Sequence, residues 1–157
     1  MPEPPIRSSE YSMSLLLNPN ADLLETKWRR PISATAHGII DYAHAAFFFT
    51  VGACCNRSNK RAASAAFMTS GFILVQSLLT DYRLGVKPVL SFETHGKMDA
   101  VFAATSWLIP QLFGFQGTKA ARIFEINSMA EGSVVGMTDW NSERADKQRY
   151  LPPAARA

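Results

Sequence analysis

The sequence predicts an all-α fold, a four-helix transmembrane bundle assembled from two tandem two-helix repeats. Three observations lead there. Polar residues collect at the two ends of the chain around an apolar middle. That middle divides into four runs of helical length. Motifs in the first half recur in the second at one fixed offset.

Length and composition bound the reading. A chain of 157 residues is one domain by size. Hydrophobic residues make up 47% and mean hydropathy is −0.03, an average that by itself would suit a soluble helical bundle, which stands as a third reading. The distribution argues otherwise, because residues 1–32 form a polar N-terminal segment and 141–157 a polar C-terminal tail, leaving 33–140 as the membrane domain. Net charge is +3 and the pI is about 9.0, but the basic residues sit in short clusters such as Lys27, Arg29 and Arg30, or Arg57, Lys60 and Arg61. Clusters flanking apolar runs suit a membrane surface, whereas nucleic-acid binding calls for a continuous basic face or a reading motif. No nucleic-acid partner is expected, and the lipid bilayer is. Cys54 and Cys55 are adjacent and cannot staple a fold in ordinary disulfide geometry. A Gly-rich phosphate loop, a nucleophile elbow and a Cys-x-x-Cys pair are all missing.

The first run lies between Arg30 and Arg57, most apolar over 43–55. The second, 62–80, carries no charge and as a helix spans about 30 Å, the hydrocarbon thickness. The third, 98–118, holds Asp99 as its one acidic residue and Pro110 as a predicted kink, which membrane helices tolerate. The fourth, 123–138, is interrupted by Glu125, Asn127 and Glu131 and is assigned through its partner in the repeat. Upstream, residues 21–28 form a candidate amphipathic helix for the membrane surface or a partner.

Sliding the chain against itself by 58 positions pairs Ser33 with Ser91, His37 with His95, Gly38 with Gly96 and Asp41 with Asp99. The same shift pairs Ser70 with Ser128, Thr80 with Thr138, Asp81 with Asp139 and Tyr82 with Trp140. Repeat one is thus 33–82 and repeat two 91–140. An even number of spans per repeat makes the copies parallel, related by a pseudo-twofold axis along the membrane normal. His-Gly opens each odd helix and Thr-Asp-aromatic closes each even one, which gathers them at one face beside both termini. The basic residues of that face, Lys27, Arg29, Arg30, Arg83, Lys87, Lys97, Arg144, Lys147 and Arg149, outnumber those of the opposite face, favouring cytoplasmic termini.

With these motifs in place, the chain resembles the SPW-repeat family of small bacterial integral membrane proteins. The resemblance rests on His37-Gly38-x-x-Asp41-Tyr42, Thr80-Asp81-Tyr82 with Leu84-Gly85, His95-Gly96-x-x-Asp99, and Ser106-Trp107-Leu108 with Phe113-Gly114-Phe115. The eponymous Ser-Pro-Trp is here Ser106-Trp107 with the proline at Pro110, and the first copy carries Phe48-Phe49. The resemblance implies two helix-pair repeats in a bacterial inner membrane, and no activity.

Ionisable groups inside a span are costly and mark sites or internal locks. His37, Asp41 and His44 share one face of the first helix at i, i+4 and i+7, and His95 and Asp99 repeat the pair. Asp81 and Asp139, at the neighbouring helix ends, are candidates to complete the ring. One reading is architectural: a His/Asp network ties helix ends in a non-enzymatic protein, an accessory subunit among other membrane subunits. A second makes His37, Asp41, His95, Asp99, Asp81 and Asp139 ligands of a divalent metal. In a metal-dependent membrane enzyme, Glu131, Asp41 and Asp99 are then the candidate acids or bases. A proton or ion path is the third use of such groups. Glu125 and Glu131 have Phe67 and Ile73 as first-copy counterparts, which reads as specialisation or as a solvated or subunit-facing helix. His44 is a candidate ligand of a haem or chlorin metal, set against a hydrogen-bonded core histidine.

Overall fold

The computed structural model describes residues 30–142. The candidate amphipathic helix at 21–28 lies outside them. Among the described residues the chain is helical and has no strand, only two isolated bridges, Ile32 with Thr138 and Thr80 with Leu90.

Helix α1, Ala34–Cys55, starts where the Ser33 hydroxyl accepts the Ala36 N–H at 3.3 Å. Helix α2, Lys60–Leu79, follows a four-residue turn and is capped by the Asn59 side-chain oxygen Oδ1, which accepts the Ala62 N–H. Helix α3, Phe92–Thr105, opens with Ser91 capping Thr94 N–H. A 3-10 turn, Ser106–Leu108, then leads into the short helix α4, Ile109–Phe113. Helix α5, Lys119–Met137, is capped by Thr118.

The third run is therefore not one kinked helix. Pro110 has no N–H to donate to the Ser106 carbonyl, and Ile109 N–H takes that acceptor in the 3-10 pattern instead. Helix α4 stops at Gly114, whose φ of +70° is the left-handed conformation that closes helices. Helix α3 also begins earlier than the apolar run, at Phe92, which puts His95 and Asp99 in its first two turns. The fourth run is a full helix despite its glutamates.

Helix α1 packs along α2, and α3 packs along α5. Small residues allow the first pairing: Ala45 on α1 and Ala62, Ala65 and Ala66 on α2 are buried, and Ser70 Oγ donates to the Ala45 carbonyl at 2.7 Å. The second pair makes the corresponding bond, Ser128 Oγ to the Ala103 carbonyl. The pairs meet through Phe48, which sits 5.0 Å from Phe124, centroid to centroid, with Phe115 behind it.

The contacts at the helix ends also occur two by two, 58 positions apart. Asp81 N–H donates to Leu90 O at 2.7 Å and Asp139 N–H to Ile32 O at 2.8 Å. Tyr82 packs on Gly38, and Trp140 on Gly96, where an added Cβ would stand 2.6 Å from the indole. A glycine follows each histidine because an aromatic ring fills the space a side chain would need.

Large apolar side chains cover much of the outside. Ile39, Phe49, Met68, Val101, Leu112 and Ile126 are each at least 60% exposed. Two helices, α1 and α2, are long and apolar enough to cross a membrane.

Candidate functional site

The structure brings His37 and Asp41 of α1 together with His95 and Asp99 of α3, all four buried. Each His-Asp pair is one helical turn apart, and packing turns both pairs inward so that one ligand atom from each residue lies within 4.8 Å of the rest. Imidazole and carboxylate alternate around a ring. His37 Nε2 is 3.0 Å from Asp99 Oδ2, and Asp99 Oδ2 is 3.0 Å from His95 Nε2. His95 Nε2 is 3.2 Å from Asp41 Oδ2, and Asp41 Oδ1 is 3.4 Å from His37 Nε2.

What holds the ring in place settles which nitrogens face its centre. The Thr80 hydroxyl gives its hydrogen to the Gln76 carbonyl at 2.7 Å, one turn back in its own helix. It is therefore an acceptor toward His95 Nδ1, 2.7 Å away, so Nδ1 carries the proton. Thr138 repeats this with the Val134 carbonyl at 2.7 Å and His37 Nδ1 at 2.9 Å. In neutral imidazoles both Nε2 atoms then present lone pairs toward two carboxylates. His95 Nε2 is buried between two carboxylate oxygens, at 3.0 and 3.2 Å, without the alignment of a regular hydrogen bond to either. That arrangement is repulsive unless protons lie between the rings and the carboxyl groups or a cation stands among the four groups.

The carboxylates have their own supports. Gln76 Nε2 donates to Asp99 Oδ1 at 2.5 Å, and Ser77 Oγ to Asp41 Oδ2 at 3.1 Å. Aromatic rings close over the imidazoles: Trp140 meets His37 edge-on at 4.9 Å, and Phe92 lies 4.8 Å from Trp140 and 5.9 Å from Tyr82. Burial among these rings pushes the Tyr82 phenol above its ordinary range.

Asp81 and Asp139 are not in the ring. Asp81 is exposed, and the Asp139 carboxylate accepts Asn141 N–H at 3.1 Å. The threonines before them, Thr80 and Thr138, are what the helix ends contribute. Both are paired by the offset of 58, so the signal was present, but an aspartate looks more like a ligand than a threonine does. Gln76 and Ser77 have Val134 and Val135 as counterparts and leave no repeat signal.

Glu131 and His44 meet each other instead of joining the ring. His44 Nδ1 is 3.1 Å from Glu131 Oε2, and Nε2 is 2.6 Å from Asn127 Oδ1. His44 is thus a hydrogen-bonded histidine with both ring nitrogens engaged. Glu125 is exposed.

No family model, curated protein or solved structure matches this chain.

Proposed function

We propose that this chain is an integral membrane protein in which a divalent transition-metal ion, held by His37, Asp41, His95 and Asp99, locks two helix-pair repeats together. The single observation that carries the metal is the orientation of the histidines. With both Nδ1–H groups committed to Thr80 and Thr138, both Nε2 lone pairs converge on two carboxylates. Metal-binding histidines are held in this way, with the far ring N–H donated to an oriented acceptor. One ligand atom from each of the four residues lies within 4.8 Å of the others, and imidazole nitrogen and carboxylate oxygen are ligand types that zinc accepts. Two carboxylates and two neutral imidazoles carry a charge that a divalent ion cancels. Four protein ligands without an open position describe a structural site, not a catalytic one. The chain's work then lies in what its scaffold holds, which fits an accessory subunit of a membrane assembly.

The membrane placement is supported by the apolar outer face and by the length of α1 and α2. Four spans follow from the repeat, with α3, the 3-10 turn and α4 together forming the third crossing. Both termini would then lie on one side, on the more basic and hence cytoplasmic face. The likeness to SPW-repeat proteins belongs to the same reading.

Elemental analysis of detergent-purified protein tests the metal. One equivalent of a first-row metal is expected, lost in the His37→Ala, His95→Ala double variant. Protein that carries no metal, and whose thermal stability ignores a strong chelator, would leave the second reading. In that reading both rings are imidazolium and pair directly with the two carboxylates; the His37–Asp99 hydrogen bond at 3.0 Å favours it.

A further inference from the structure

Three of the residues that break the correspondence between the two halves meet at the seam between α1 and α5. At the offset of 58, His44 corresponds to Phe102, Asn127 to Thr69 and Glu131 to Ile73. All three differences place more polar or ionisable groups in the same contact. His44 Nε2–H donates to Asn127 Oδ1, and the 3.1 Å approach of His44 Nδ1 to Glu131 Oε2 holds a proton between imidazole and carboxyl. The Asn127 amide nitrogen is buried and has no hydrogen-bond partner.

These groups line a groove of about 310 Å³ whose other walls are apolar, among them Ile40, Phe47, Ala130 and Val134. His44 stands ten residues into the 22-residue helix α1, about 15 Å along an axis of about 33 Å. With α1 across a bilayer, that depth is the middle of the hydrocarbon, beyond the reach of lipid phosphates or free anions. An occupant must dissolve in hydrocarbon and still bring a hydrogen-bond acceptor for the idle Asn127 donor.

We propose that this groove binds a lipid-soluble carbonyl compound of the quinone class, its ring oxygen accepting from Asn127 Nδ2–H beside the His44–Glu131 pair that holds the Asn127 side chain in place. Apolar walls suit the ring and tail, and the buried polar groups fix the carbonyl. The proposal rests on the membrane placement given above and is independent of the metal.

The test titrates detergent-purified protein, labelled with nitrogen-15 at histidine, with a decyl-substituted benzoquinone, using decanol to match the tail alone. A saturable shift of the His44 resonances by the quinone and not by decanol is expected. Glu131→Ile and Asn127→Thr, which install the first half's residues, should each weaken binding at least tenfold while metal content stays that of the parent. Should Glu131→Ile fail to fold, Asn127→Thr decides alone. No saturable shift, an equal response to decanol, or unchanged affinity in the variants overturns the proposal. Parent protein lacking metal but showing the quinone shift would sink the metal lock only, and protein that dissolves without detergent would remove the membrane placement and this site with it.

Discussion

Thr80 and Thr138 each hold a single hydroxyl hydrogen, and each directs it to the carbonyl one turn back, which leaves an oxygen lone pair for a histidine. A valine has the shape but not the oxygen. In the metal reading, Thr80→Val or Thr138→Val lets the imidazole turn or change tautomer, and metal affinity should fall about 10–100-fold. Thr→Ser at either site should restore most of it, measured by competition with a chromophoric chelator; equal affinity in the parent and all four variants would remove the tautomer argument. The glycines beside the histidines act by space. Gly96→Ala puts a methyl into the Trp140 ring, and Gly38→Ala into Tyr82, so each should destabilise by about 1–3 kcal/mol through overpacking. Thermal unfolding of the two variants reads this directly, and a pair as stable as the parent would mean the rings move aside freely.

At the scale of elements, the two odd helices start the same way, with a serine whose hydroxyl takes the N–H three residues on. Ser33→Ala and Ser91→Ala should each cost about 1 kcal/mol. The Ser33 loss should be the larger, because the cap also neighbours the Ala34 N–H bond to the Ser142 hydroxyl and the buried side chain of Ala34. Equal, negligible losses in a thermal melt would show that packing and not capping sets these starts. The third apolar run shows where local sequence was misread. Its apolar residues run on from Met98 past Phe113, and hydropathy has no way of registering that Pro110 leaves the Ser106 carbonyl to Ile109. The fourth helix shows the reverse: Glu125 and Glu131 weaken it as an isolated run, yet neighbours accept them, Glu125 on the surface and Glu131 beside His44.

For the whole molecule, the outward faces of α1, α2 and α5 carry Phe47, Phe49, Met68, Val75, Ile126 and Met129, all well exposed. In water such a surface would associate without specificity. The proposed membrane placement predicts that alkaline carbonate leaves the protein in the membrane pellet and that detergent releases it; recovery in the soluble fraction would instead establish a water-soluble helical protein. The proposed metal lock predicts that chelation acts globally. A metal bound by α1 and α3 joins the two helix pairs, so its removal should lower the unfolding temperature of the whole described region, not of one helix, when followed by far-ultraviolet dichroism. Loss of metal with no change in the melt would mean that packing around Phe48 and Phe124 holds the pairs together unaided.

The helical class, the four runs and the recurrence of His-Gly-x-x-Asp and Thr-Asp-aromatic can be read along the chain, because hydropathy and periodic spacing are local properties of it. So can the four ring residues, since an ionisable group on an apolar helix is conspicuous wherever it ends up. The same reading stops short of the contacts between helices. That threonine and not aspartate meets each histidine from the neighbouring helix end, and that Gln76 and Ser77 hold the carboxylates, emerges from the packed helices alone. They also join His44 to Glu131, 87 positions away by their numbers, across a seam that neither helix defines. The physical reason is one of range: a hydrogen bond depends on tenths of an ångström in how two helices are rotated against each other, and that rotation is fixed by the packing of every side chain between them.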